Sequence, residues 1–266
     1  LNFKEKRRLL NSINEVWSYL DHRLWKPLNR RKNETGLFPI TSCSLSLPRP
    51  SGAYISHKHK VVYYTIPKAA CTTIKLFIGL IEGTATWKDN PHELSMLRLS
   101  LPEARSILYK DYFHFTFVRN PYDRLLSCYM DKIYEVGLCD HDDREFANGE
   151  FRQFLVEYGR LGYREMSFAD FIWFVTRVPD RHCDRHFIPQ HYLLNLDLLN
   201  FVGHFENLNQ DFLYVRKQIG LSDDTLQLQK INASKHGPYQ NYYNDKLRKM
   251  VARKYARDLE IFNYDF

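Results

Sequence analysis

The 266-residue chain contains no run of about 18 apolar residues, the length that a membrane-crossing helix requires. It opens without the basic, apolar and small-residue regions of a signal peptide. It begins at Leu1 rather than Met, so an upstream anchor lies beyond what the sequence excludes. Cysteine is scarce and odd in number: Cys43, Cys71, Cys128, Cys139 and Cys183, with no Cys-x-x-Cys pair. That argues against a closed disulfide framework and against a four-cysteine zinc site, and leans towards a reducing compartment. There is no internal repeat and no low-complexity segment. A Walker stretch, GxxxxGK[ST], is also missing, so any phosphate site must be built another way.

What is present suffices for a sizeable core, with 44% hydrophobic and 15% aromatic residues. Strand-like and helical runs alternate, which predicts an α/β fold. We expect a single domain over 1–266, with an N-terminal helix and wrapping loop in 1–60 and the core of the fold in 61–266. The stripe Leu9, Leu10, Ile13, Trp17, Leu20 and Leu24 predicts an amphipathic helix, packed on the body or turned to a membrane surface or partner. Residues 27–60 have no period and read as a loop or wrap. Strands are expected at 61–66 and 112–118, and a short strand with a turn within 198–208. Helices are expected at 72–81, 102–110, 121–136, 167–175, 207–219 and 245–262, with Gly83 stopping the first. The formal net charge of +7 suits an anionic ligand or an acidic surface.

Two strand-to-helix junctions carry the chemical signal. In "VVYYTIPKAACTTIKLFIG" (61–79) an apolar strand breaks at Pro67-Lys68, and a helix follows a row of small and hydroxylated residues. A helix start presents free N–H groups and a positive dipole end, which suits an anion. Ala69, Ala70 and Cys71 let an anion approach the backbone, Thr72 and Thr73 add hydroxyls, and Lys68 adds charge. The plain alternative is an ordinary β-α turn with a solvated lysine. In "FTFVRNPYDRLLSCYMDK" (115–132) Arg119 sits on the turn, Asn120 is a good N-cap, Pro121 a good first helical residue, and Ser127 lies two turns on. Arginine grips phosphate in a bidentate way, and a serine hydroxyl completes such a pocket. The alternative for Arg119 is an ion pair with Asp123 or Asp131. Arg124 reads as structural, tying helix to sheet. Two such sites suggest one ligand with two separated anionic groups, such as a nucleotide phosphorylated at its 3′ and 5′ ends.

At these residues the chain resembles the carbohydrate sulfotransferases that use 3′-phosphoadenosine 5′-phosphosulfate (PAPS), in particular the Golgi-type branch acting on chondroitin, dermatan and related glycans, and its bacterial relatives. "IPKAACTTIK" is similar to that family's 5′-phosphosulfate loop and "FTFVRNPYDRLLSCY" to its 3′-phosphate element. "DRHFIPQ" (184–190), "FVGHFENLNQDF" (201–212) and "YARDLEIFNYDF" (255–266) continue the likeness over about 61–266. The resemblance implies a central parallel β-sheet flanked by helices, a P-loop-like fold akin to nucleotide kinases. It implies PAPS as donor, the 3′,5′-bisphosphate PAP as product, no metal, and a hydroxyl acceptor on a glycan. It implies that Lys68 contacts the 5′-phosphosulfate, that Ala69, Ala70, Cys71, Thr72 and Thr73 supply donors to it, and that Arg119 and Ser127 hold the 3′-phosphate. A loop before the last helix usually closes over the cofactor in this fold. Residues 232–239 are the candidate, with Ser234 and Lys235 reaching the phosphate or ribose, or else a plain surface connection. A glycan on Asn232 would crowd that loop, so its sequon is expected to be unused.

Sulfuryl transfer needs a base for the acceptor hydroxyl and a positive charge for the leaving phosphate. Lys68 suits the second role. For the base, His92 in "KDNPHELS" comes first and Glu93 second, with a surface histidine as the alternative. His186 is read as shaping the acceptor pocket, or else as a core or hydrogen-bonding residue. Zinc at His182, Cys183 and His186 lacks a second cluster, and tyrosines beside basic residues are too common a pattern to signal RNA. The rival functions are a kinase-like phosphotransferase and a non-catalytic polyanion binder. In one respect the chain departs from the Golgi branch: "HYLLNLDLLNFVG" (191–203) has no Cys-x-x-Cys. That favours a cytoplasmic enzyme, with the Golgi lumen as the alternative. The acceptor and the oligomeric state are not readable from the sequence.

Overall fold

The computed structural model describes residues 52–90, 94, 97–100, 104, 109–134, 167–180, 183–221, 228 and 236–266. The expected N-terminal helix, most of the 102–110 helix, His92, Glu93, Ser234, Lys235 and Asn232 with its sequon lie outside these residues.

A five-stranded sheet organises the fold, in the order β3-β1-β2-β4-β5. Its members are β1 (Ala53–Ser56), β2 (Val61–Tyr64), β3 (Arg98–Leu99), β4 (Phe113–Val118) and β5 (Phe201–His204). β2 pairs parallel with β4 from Val61↔Phe113 to Tyr64↔Thr116, and β4 pairs parallel with β5 from Phe115↔Phe201 to Val118↔His204. β1 is antiparallel to both β2 and β3. The sheet is therefore mixed rather than wholly parallel, with a parallel half that bears the junctions and an antiparallel edge. β1 lies inside the stretch expected to be loop. Its four residues are all buried, and the turn His57–Lys60 carries it into β2, with Lys60 in the left-handed region at φ 49°.

Each strand of the parallel half is covered on both faces, as bulky residues at alternating positions require. Val61 and Tyr63 of β2 and Phe115 and Phe117 of β4 face helices α1 (Cys71–Glu82) and α4 (Leu208–Gln218). Val62 and Tyr64 face the other side, where α2 (Pro121–Tyr129), α3 (Phe168–Val175) and α5 (Asp245–Lys254) pack. Gly83 ends α1 with φ 84°, as expected. Ser167 and Asp170 close a full capping box on α3.

Two expected helices differ. The helix from Pro121 widens to a π turn over Met130–Tyr134. The last helix breaks at Tyr255, separating α5 from α6 (Ala256–Ile261), and the buried Tyr255 hydroxyl donates to the Phe187 carbonyl at that point.

Candidate active site

The helices that follow β2 and β4 lie on opposite faces of the sheet. Between neighbouring parallel strands whose connections leave in opposite directions, a crevice opens at the carboxyl ends, the usual ligand position in such sheets. Both junctions meet there. Arg119 Nη1 donates to the Lys68 carbonyl at 3.0 Å, so the two helix starts adjoin.

The first junction makes its turn without glycine. Lys68 and Ala70 both take left-handed backbone, at φ 69° and 57°, and the Ala69 N–H donates to the Ile66 carbonyl at 3.3 Å. A left-handed non-glycine residue costs roughly 1–2 kcal/mol, and such strain gathers at functional sites. The N-cap of α1 is Ala70, which has no side chain able to cap. The start of α1 is thus left to whatever the loop holds. Lys68 Nζ lies 3.2 Å from Asp131 Oδ2, which also pairs with Lys132 at 3.0 Å. Burial raises the Asp131 carboxyl, but Lys68 and Lys132 together outweigh it and hold the group below its usual range. Cys71, at the first position of α1, is a half-buried free thiol.

The second junction matches its expected caps. Asn120 Oδ1 accepts from the Tyr122 N–H at 3.0 Å, with Pro121 at the first helical position. Arg119 is buried and takes the ion pair that was its alternative reading. Its Nε and Nη2 both lie 2.8 Å from Asp123 Oδ2, and its guanidinium stacks 4.2 Å from the Phe205 ring centroid. Ser127 is buried one turn beyond Asp123 on the same helix. Arg124 is structural, as expected. It donates to the carbonyls of Pro67 (3.0 Å), Ile188 (2.7 Å) and Arg185 (2.9 Å), and burial lowers its pKa.

Through Arg124 the backbone beside Lys68 and the backbone beside His186 are clamped by one side chain. His186 Nδ1 lies 2.5 Å from Asp184 Oδ1. Burial lowers the His186 pKa, and Asp184 offsets this only in part. Burial raises Asp184, but the hydrogen bonds and charge of His186 bring it below the carboxylate range.

Three supporting residues escaped the sequence reading. Gln190, fully buried, accepts from the Arg119 N–H at 3.0 Å and donates to the Arg119 carbonyl at 2.8 Å. Asp258 accepts from the N–H groups of Gln190 (2.6 Å) and His191 (3.0 Å). His236 lies with Nε2 4.0 Å from Asp123 Oδ1. Gln190 and Asp258 could have been suspected only from their place in the quoted segments; His236 carried no signal beyond its place in the loop.

The donor set suits an anion with two charged ends: an uncapped helix start lined by alanines and a lysine at one end, a buried arginine and serine at the other. Among the described residues no group of three or more His, Cys, Asp or Glu is placed to hold a metal ion. A model of the sulfotransferase family matches residues 51–265.

The chain belongs to the sulfotransferase family.

Among curated relatives, the chain is 24% identical to carbohydrate sulfotransferase 14 of Danio rerio over 62% of its length and 47% of that protein. It is 25% identical to carbohydrate sulfotransferase 10 of Xenopus laevis over 79% of the chain and 66% of that protein. It is 26% identical to human carbohydrate sulfotransferase 9 over 79% of the chain and 48% of that protein. The chain thus spans about half to two thirds of the length of these relatives. No solved structure matches. These relatives agree with the resemblance read from the motifs. They lend no support to the expected cytoplasmic location. No helix of the described residues is long and apolar enough to cross a membrane.

Proposed function

We propose that this sulfotransferase moves a sulfuryl group from PAPS to a hydroxyl of a saccharide, leaving PAP. The observation that carries the reading is the 3.0 Å bond from Arg119 to the Lys68 carbonyl, which brings the two helix starts side by side. PAPS, when bound, supplies the activated sulfuryl group on its 5′-phosphate. Lys68 neutralises charge gathering on the bridging oxygen, and Ala69 to Thr73 supply backbone and hydroxyl donors around it. Arg119 and Ser127 hold the 3′-phosphate, with Ser234 and Lys235 assigned to the phosphate or ribose. His92, with Glu93 as second choice, takes the acceptor's proton. His186 shapes the acceptor pocket. Asp131 and Asp123 hold the two cations in place beforehand, so that little side-chain ordering is left for binding. A nucleotide-kinase-like P-loop fold and the Golgi lumen belong to this same reading, as the resemblance of the motifs implies.

The test is nucleotide binding by calorimetry. PAP should bind well above 5′-AMP, without magnesium. Arg119→Ala should remove most of that preference, a charged hydrogen bond being worth roughly 1.5–3 kcal/mol. Equal binding of PAP and 5′-AMP by the unaltered protein would overturn the proposal. With labelled PAPS and a panel of glycans, His92→Ala should abolish transfer and spare PAP binding; the same result from Glu93→Ala alone moves the base by one residue.

A further inference from the structure

His236 has a side chain only 8% exposed. Tyr239 and Tyr243 hold its segment against the first turn of α2. Tyr239 stacks on Tyr122 with centroids 6.2 Å apart, and the Tyr243 hydroxyl donates to the Tyr122 carbonyl at 2.9 Å. The imidazole is therefore placed by packing rather than by chance on a surface. Its Nδ1 lies 2.8 Å from the Gly237 carbonyl oxygen. A carbonyl only accepts, so Nδ1 must carry a proton. Nε2 is buried and has no hydrogen-bond partner among the described residues. Asp123 Oδ1, at 4.0 Å, is beyond hydrogen-bond reach.

These facts constrain the second nitrogen. Without a proton, Nε2 presents a bare lone pair to a carboxylate, inside the protein. With one, it is a buried, charged donor that lacks an acceptor. Either state leaves a polar group unmatched, which native structures rarely tolerate without a ligand or water. An anion placed between Nε2, Arg119 and Ser127 removes the mismatch. Asp123 links the other two: through Oδ2 it pairs with Arg119 on the turn before α2, and Ser127 is one turn further along the helix.

We propose that His236 is a further ligand of the nucleotide's 3′-phosphate, donating from Nε2 to the group that Arg119 and Ser127 hold. The assignment rests on the nucleotide reading above and adds to it a residue that discriminates the 3′-phosphate. Because 5′-AMP lacks that phosphate, the contact must show itself as a difference between two ligands.

The experiment measures PAP and 5′-AMP affinities of the full chain and of two variants, His236→Ala and His236→Gln, with thermal melting as a folding control. His236→Ala should weaken PAP by about tenfold or more, as expected for a hydrogen bond to a charged group, and leave 5′-AMP unchanged. His236→Gln, which keeps a donor near the Nε2 position, should recover part of the loss. Equal weakening of both nucleotides, or no weakening of either, overturns the assignment. If the unaltered protein itself does not prefer PAP, the nucleotide reading fails first and takes this one with it.

Discussion

Arg124 shows how much one side chain can fix. Its guanidinium is fully buried and reaches three carbonyls on two separate segments, Pro67 on one and Arg185 and Ile188 on the other. Among the described residues no carboxylate is hydrogen-bonded to it; burial lowers its pKa, and Asp258 and Asp184, acting at a distance, offset this only in part. Lysine cannot replace it, because one ammonium on a flexible stem does not span that fork. Arg124→Met should therefore strand three buried carbonyls. Their desolvation, at about 1–3 kcal/mol each and partly relieved by relaxation, predicts a loss of about 3–5 kcal/mol in urea unfolding. It should also weaken PAP binding, since Pro67 anchors the turn that carries Lys68. A variant that unfolds like the parent would remove Arg124 from this role. Two thiols belong to the same dry interior. Burial pushes Cys128 and Cys183 up to about 12, which makes both poor nucleophiles at neutral pH.

At the scale of elements, Gly203 is the tightest point of the sheet. A Cβ there would lie 2.5 Å from Cε1 of Phe117, whose ring is fully buried between β4 and β5. Gly203→Ala should destabilise by about 1–3 kcal/mol through overpacking. Phe117→Leu in the same chain should recover part of that loss, if the clash is the cause; denaturant melts of the double-mutant cycle decide this. Gly203 belongs to the "VG" segment that the sequence reading picked out, and the strands with bulky alternation, 61–64 and 113–118, were legible for the same reason: their side chains must be covered on both faces. Caps were legible too, because Asn120, Pro121, Ser167 and Gly83 act through local bonds. What escaped depended on distant partners. β1 is only four residues beside a basic turn, and its burial comes from β2 and β3 rather than from its own pattern. The break at Tyr255, whose hydroxyl reaches the Phe187 carbonyl, and the π turn carrying Asp131 have no local signature. In the site, the residue types proposed to face an anion could be read from the two junctions, whereas their carboxylate partners could not be fixed: Asp123 and Asp131 were both open for Arg119, and the pair of Lys68 with Asp131 was not foreseen.

For the whole molecule, the quoted segments prove to be parts of one support around the Arg119-Asn120 turn. Gln190 brackets the Arg119 backbone, Phe205 underlies its guanidinium, Glu206 accepts from the Asn120 N–H at 2.7 Å, and Asn120 Nδ2 donates to the Asp265 carbonyl at 2.7 Å. Asp258 ties the carboxyl-terminal segment to Gln190, so residues far apart in sequence hold a single turn. Buried titratable groups in that support make stability depend on pH. The folded-state pKa of His186 lies below its ordinary 6.5, burial being the main cause, with Lys132 and Arg185 adding to it and Asp184 opposing. Below about pH 6.5 the unfolded chain thus takes up a proton that the folded one resists, and stability falls with acidification. Asp131 and Asp184 lie below their ordinary 3.8, so their stabilisation is present above about pH 4 and is lost as pH falls further. The urea midpoint should then decline in two stages, first from about pH 6.5 and again below about pH 4. His186→Asn should flatten the first stage and leave the second. An unaltered first stage in that variant would assign the decline to other histidines and show that the His186–Asp184 pair does not govern it.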